Sequence, residues 1–126
     1  MLGKNPIVTF LAAKDPQRTI AFYRDKLGLR FVSQDQFAVV FDANGIMLRI
    51  QMVPKPTVAP YTALGWEVPS IAAAVKKLVK AGVVFERYPG MPQDELGIWK
   101  APSGARVAWF KDPDGHTLSL SQAGKE

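Results

Sequence analysis

The feature that most constrains this chain is an internal repeat in the order of its caps, turns and apolar runs. Ile7 to Ala13 is apolar or small with Thr9 inside it, the composition of a buried strand. Asp15 and Pro16 supply an N-cap and a first-turn proline, and Ile20, Tyr23 and Leu27 fall on one helical stripe that Gly28 closes. Three strands are predicted next, over Leu29 to Ser33, Phe37 to Asp42 and Ile46 to Met52, the last two joined by a turn whose Asn44-Gly45 pair is a strong hairpin signal. Pro54, Pro56 and Pro60 then exclude a helix or a central strand and mark a linker over 54–60.

Beyond the linker the order returns. Thr62 to Val68 reads as a strand, and Ser70 caps a helix with Ile71, Val75, Leu78 and Val79 on its inner stripe and Gly82 at its end. A strand over Val83 to Tyr88, a Pro/Gly-punctuated excursion from Pro89 to Gly104, a strand over Ala105 to Lys111, the turn Asp112-Pro113-Asp114-Gly115 and a final strand over His116 to Gln122 complete it. Cap-to-glycine distances are nearly equal in the two halves, and Gly45 and Gly115 each introduce an alternating strand in matching phase. Only the stretch from Gly82 to Gly115 is out of proportion, about twice its counterpart, and the excess is the excursion. The expectation is an α+β chain of two βαβββ modules, 5–53 and 61–123, forming cupped mixed sheets within a single domain over 1–126.

Composition narrows what such a chain can do. Cys is absent and His116 is the one histidine, which removes disulfides, thiolate nucleophiles and Cys-ligated metals. With no apolar run approaching about 18 residues, no membrane helix is predicted. Ile7 to Ala13 after Lys4 faintly resembles a signal peptide but runs straight into a helix start, so a strand and a cytoplasmic location are expected. Sixteen basic residues against 11 acidic give a net charge of +5, which favours anionic partners. Those basic residues are scattered, the densest group being Lys76, Lys77 and Lys80 on one helix face, so no nucleic acid is expected. A nucleophile–base pair, a phosphate-cradling glycine loop and a carboxylate pair of hydrolase type are not seen.

Several segments together resemble the vicinal oxygen chelate superfamily, which includes glyoxalase I, extradiol dioxygenases, fosfomycin-modifying enzymes and bleomycin-resistance proteins. They are Asp15 with Ala21-Phe22-Tyr23 and Leu27-Gly28-Leu29-Arg30-Phe31, then Ala73-Ala74-Val75 through Leu78 with Ala81-Gly82-Val83, and the closing Phe110 to Gly115. The resemblance covers nearly the whole chain and implies the glyoxalase/bleomycin-resistance/dioxygenase-like fold, a cup often completed by a second subunit, and metal ligands at four strand positions. Those positions fall here at Val8, Arg49, Ala63 and Ser119, where the metalloenzymes carry His, Glu or Gln. No metal and no cofactor is therefore expected. His116, beside the turn and out of phase with Ser119, reads as a surface residue.

Strand alternation from these positions lists the inner face of the cup: Val8, Phe10 and Ala12; Met47, Arg49 and Gln51; Ala63, Gly65 and Glu67; Thr117, Ser119 and Ser121. Trp99 in the excursion either stacks on a planar ligand or plugs the loop onto the sheet, whereas Trp66 and Trp109 read as core. The candidate ligand-binding residues are Phe10, Met47, Arg49, Gln51, Glu67, Trp99, Ser119 and Ser121. Arg49 either holds a carboxylate or phosphate bidentately or pairs with Glu67. The expected function is metal-free binding of a small anionic or aromatic ligand in a cup shared across a homodimer. The alternative is a metal-dependent lyase or dioxygenase with displaced ligands such as Glu67, Gln51 and His116.

Overall fold

The structure is a computed structural model and describes residues 1–124. It divides into two compact units, Met1–Thr57 and Val58–Glu126. The first holds β1 (Val8–Ala13), a helix α1 (Pro16–Ile20) prolonged by a π-helical turn over Ala21–Lys26, then β2 (Arg30–Gln34), β3 (Ala38–Ala43) and β4 (Ile46–Met52). The sheet order is β1-β4-β3-β2, with β1 parallel to β4 and the other pairs antiparallel.

Local chemistry accounts for these elements. The Asp15 carboxylate accepts the amides of Gln17 at 2.9 Å and Arg18 at 3.3 Å, satisfying two donors that a helix start leaves unpaired. Leu27 N–H donates to the Phe22 carbonyl, five residues back, and this wider turn sets Phe22 and Tyr23 side by side in the core. Leu27, expected on the inner stripe, is left half-buried as a result. Tyr23 meets Phe41 at a ring separation of 5.7 Å, and Leu11, Ala13, Val39, Leu48 and Ile50 are buried in the same core. Asn44 and Gly45 both have positive φ, 52° and 88°, as a type I′ turn requires, which locks Ala43 opposite Ile46.

The second unit holds β5 (Thr62–Glu67), α2 (Ile71–Lys80), β6 (Trp99–Lys100), β7 (Arg106–Lys111) and β8 (Thr117–Gln122), in the order β5-β8-β7-β6 with β5 parallel to β8. The repeat is thus present: two four-stranded mixed sheets, each crossed by one main helix. Ser70 Oγ accepts the Ala73 amide, and Gln122 Oε1 accepts that of Ile71 at 2.9 Å, tying the start of α2 to the last strand. Ile71 and Val75 are buried with Ala108, Phe110, Leu118 and Leu120. Val79, at the margin of the expected stripe, is 52% exposed.

Two expectations fail in this unit. Val83 to Tyr88 is not a strand: Phe85 alone bridges to β7, at Phe110, and the edge is taken up again by Trp99–Lys100 from within the excursion. The cause is Gln93, whose side chain accepts the Tyr88 amide and donates to the Glu86 carbonyl, bonds a neighbouring strand would otherwise make. His116 is not on the surface but 4% exposed. It shares the phase of Leu118 and Leu120, and in this sheet that phase faces the core.

Candidate functional site

Each sheet buries one face and leaves the other open, and the candidate residues stand on the open faces. In the first unit Phe10 lies directly across from Arg49, with Met47 and Gln51 in register two residues to either side. Phe10 is 56% exposed, Arg49 is half-buried and Gln51 is exposed. Asp35, in the β2–β3 turn, has its carboxyl held below the usual range by the amides of Phe37 and Ala38, at 2.8 and 3.0 Å, with a further contribution from the Arg49 charge. The guanidinium therefore has an acidic neighbour within its own unit that sequence reasoning missed. Glu67, its expected alternative partner, belongs to the second unit.

The open face of the second sheet is organised in three cross-strand rows. Trp99, Val107, Ser121 and Glu67 form the first, Trp109, Ser119 and Gly65 the second, and Lys111, Thr117 and Thr62 the third. Glu67, Trp99 and Ser121 are thus brought into one row, and Ser119 stands beside them. A bulge between Thr62 and Leu64 makes Thr62 the partner of Thr117, so Ala63 drops out of the predicted alternation. At Gly65 a Cβ would collide with Ser119 Oγ, so the serine side chain occupies the space a larger residue would take.

Trp109, expected in the core, is half-buried on this open face, 6.1 Å from the Trp99 ring and 5.6 Å, edge-on, from that of Tyr88. Both expectations for Trp99 left out this partner. Alternation with buried Ala108 and Phe110 was the signal that could have found Trp109. A groove of about 610 Å³ opens along the third row, walled by Tyr61, Tyr88, Met91 and Trp109 and by the linker residues from Val58. Burial and the nearby Glu86 charge push the Tyr88 phenol up from its ordinary value, so it remains a neutral donor. A second hollow, about 560 Å³, lies at the start of α2 near Lys100 and Arg106. There the Ile71 and Ala73 amides are already taken by Gln122 and Ser70.

The side chains at the four expected ligand positions do not fit a metal ion. Val8 and Ala63 offer no donor, Ser119 a neutral hydroxyl and Arg49 a positive charge. Among the described residues no three His, Asp or Glu side chains gather where they could hold one. His116 belongs to the buried row, while Glu67 and Ser119 are on the opposite face of the same sheet, so the displaced ligand set is not assembled around it.

A fold of two βαβββ sheets, each with one open face, defines a class, and comparison with known proteins agrees. The chain belongs to the Glyoxalase/Bleomycin resistance protein/Dioxygenase superfamily, whose model matches residues 5–120. Among solved structures it is similar to the fosfomycin resistance protein of Listeria monocytogenes, with a TM-score of 0.74 and 16% identity over 95% of this chain and 93% of that one. It is also similar to a superfamily member from Sphaerobacter thermophilus, TM-score 0.71, 22% identity, covering 97% and 99% of the two chains. A third is the lactoylglutathione lyase of Agrobacterium tumefaciens, TM-score 0.68, 19% identity, covering 94% and 93%. At these identities the likeness is one of fold. No helix among the described residues is long and apolar enough to cross a membrane.

Proposed function

We propose that this chain is a superfamily member that does not use a metal at the usual ligand positions and binds a small anionic or aromatic ligand on its open sheet faces. The observation that carries this reading is the residue set Val8, Arg49, Ala63 and Ser119, which removes the Lewis acid on which glyoxalase-type and dioxygenase chemistry depends. In its place the open faces carry an arginine beside a phenylalanine and a pair of tryptophans from adjacent rows. That mixture of flat apolar surface with a few fixed polar groups suits a small-molecule site. The reading includes a cytoplasmic homodimer whose subunits share the cup, because Val8 and Phe10, 42% and 56% exposed, are apolar surface that association would cover.

The test has three readings. Elemental analysis of purified protein is expected to find no stoichiometric divalent metal; about one Zn, Ni, Mn or Fe per chain bound at those positions overturns the metal-free reading. Light scattering is expected to give twice the chain mass, and a monomer at micromolar concentration removes the shared cup. For an anionic ligand taken from a screen and held by the guanidinium, Arg49→Ala is expected to weaken binding by roughly 2 to 4 kcal/mol, with Arg49→Lys restoring part. Asp35→Asn, which removes the competing charge, is expected to strengthen it. Unchanged affinity in Arg49→Ala takes Arg49 out of the site.

A further inference from the structure

Among the described residues that wall the groove of the second unit, Lys111 is the sole ionised side chain; no carboxylate is present. Lys111 is exposed and forms no ion pair among the described residues. Its row continues through the hydroxyls of Thr117 and Thr62, so one ammonium and two hydroxyl donors stand in line across three strands. One row away, about 7 Å along β7, is the Trp109 indole, with Tyr88 packed edge-on against it and Met91 beside the same opening.

We propose that this groove takes a planar aromatic monocarboxylate, its ring lying against Trp109 and its carboxylate held by Lys111 with Thr117 and Thr62. The proposal rests on the metal-free reading and names the ligand class for one of the two open faces. A single cation matches a single negative charge. A phosphate monoester or a dicarboxylate would bring a second charge to a wall with no second cation, and a neutral ring would leave the ammonium and hydroxyl row unused. The groove volume lies within the range of small-molecule sites and leaves room for a fused bicyclic ring. Its walls are largely preformed, since the Tyr88 amide is fixed by Gln93 at 2.8 Å and Arg87 binds the carbonyls of Asp94 and Glu95 in the same loop.

The experiment is an amide NMR titration of the full chain with 2-naphthoate, its neutral amide 2-naphthamide, and inorganic phosphate. With 2-naphthoate the shifts are expected to centre on Thr62, Tyr88, Gly115 and Thr117. Lys111→Ala and Lys111→Gln, with melting temperatures checked, are expected to weaken 2-naphthoate by about tenfold or more and to leave 2-naphthamide within about twofold. Lys77→Ala removes the same charge from the exposed face of α2 and is expected to change neither. No saturable shifts at millimolar 2-naphthoate overturn the proposal, as do equal losses for both naphthyl probes or a preference for phosphate. Shifts centred on Phe10 and Arg49 also overturn it, while leaving the metal-free binding reading standing; metal at the four strand positions overturns that reading and this proposal with it.

Discussion

Replacing Gln93 with alanine is expected to loosen the wall of the groove before it loosens the sheet. One side-chain amide makes three bonds: Oε1 accepts the Tyr88 N–H at 2.8 Å, and Nε2 donates to the carbonyls of Glu86 at 3.0 Å and Gly97 at 2.8 Å. A neutral hydrogen bond contributes about 0.5 to 1.5 kcal/mol net. Three would give about 2 to 4 kcal/mol, and because Gln93 is half-buried and water can reach part of the gap, about 2 kcal/mol is the working figure. For a chain of this length that lowers the melting temperature by roughly 6 to 10 °C. The sharper readout is hydrogen exchange. The Tyr88 amide has Gln93 as its acceptor, so its exchange is expected to approach that of an unbonded amide, while Ala108 and Phe110 in the neighbouring strand speed up by no more than the roughly thirtyfold that the loss of global stability allows. Gln93→Glu keeps the acceptor but turns a carboxylate oxygen toward two carbonyls, and is expected to do no better than alanine. A Gln93→Ala protein melting within about 1 °C of the parent with unaltered exchange at Tyr88 would refute the reasoning.

Other perturbations test other parts of the structure. Asp15→Ala strips the N-cap from α1 and is expected to cost about 1 kcal/mol in chemical denaturation, with Asp15→Asn costing less. Gly65→Ala pushes a methyl group against Ser119 Oγ and is expected to cost about 1 to 3 kcal/mol, most of it recovered by adding Ser119→Ala; additive losses in the double variant would rule out the clash. Asp35 has its folded pKa lowered, so the unfolded chain takes up its proton first and the stabilisation is present above the ordinary value of 3.8 and lost as pH falls through the folded value. Asp35→Ala is therefore expected to flatten the decline of stability between about pH 5 and 3, which acid-dependent melting would detect.

The parts of the fold written in short-range chemistry were legible in the chain. Asp15, Ser70 and Asn44-Gly45 act on backbone within a few residues, and strand alternation placed Phe10, Arg49, Ser119 and Ser121 on open faces. What escaped depended on distant partners or on a change of phase. The edge between Val83 and Tyr88 dissolves because a glutamine side chain from further along takes its backbone bonds, which no periodicity announces. The bulge at Thr62 and Leu64 shifts the phase by one residue and exchanges Thr62 for Ala63. His116 is out of phase with Ser119, as alternation implies, but the face it joins is the core one that Leu118 and Leu120 mark. Trp109, read as core, sits between buried Ala108 and Phe110 and so takes the open face, where it lines the groove.

The divided outer edge of β7 has a consequence for how a chain of this kind can change. One foot of the insertion stands on the rung at Phe110 and the other on the rung at Val107, and between them Gln93 is bridged to Trp99 at the outer edge of β6. Apart from Ile98, which is buried in the core, the insertion's length and sequence can be exchanged while the four-strand order stays as it is. Since that segment carries Tyr88, Met91 and Gln93 while Tyr61 and Trp109 lie outside it, one side of the groove can diverge between descendants of one ancestor against a constant opposite side, provided the position of Ile98 stays apolar.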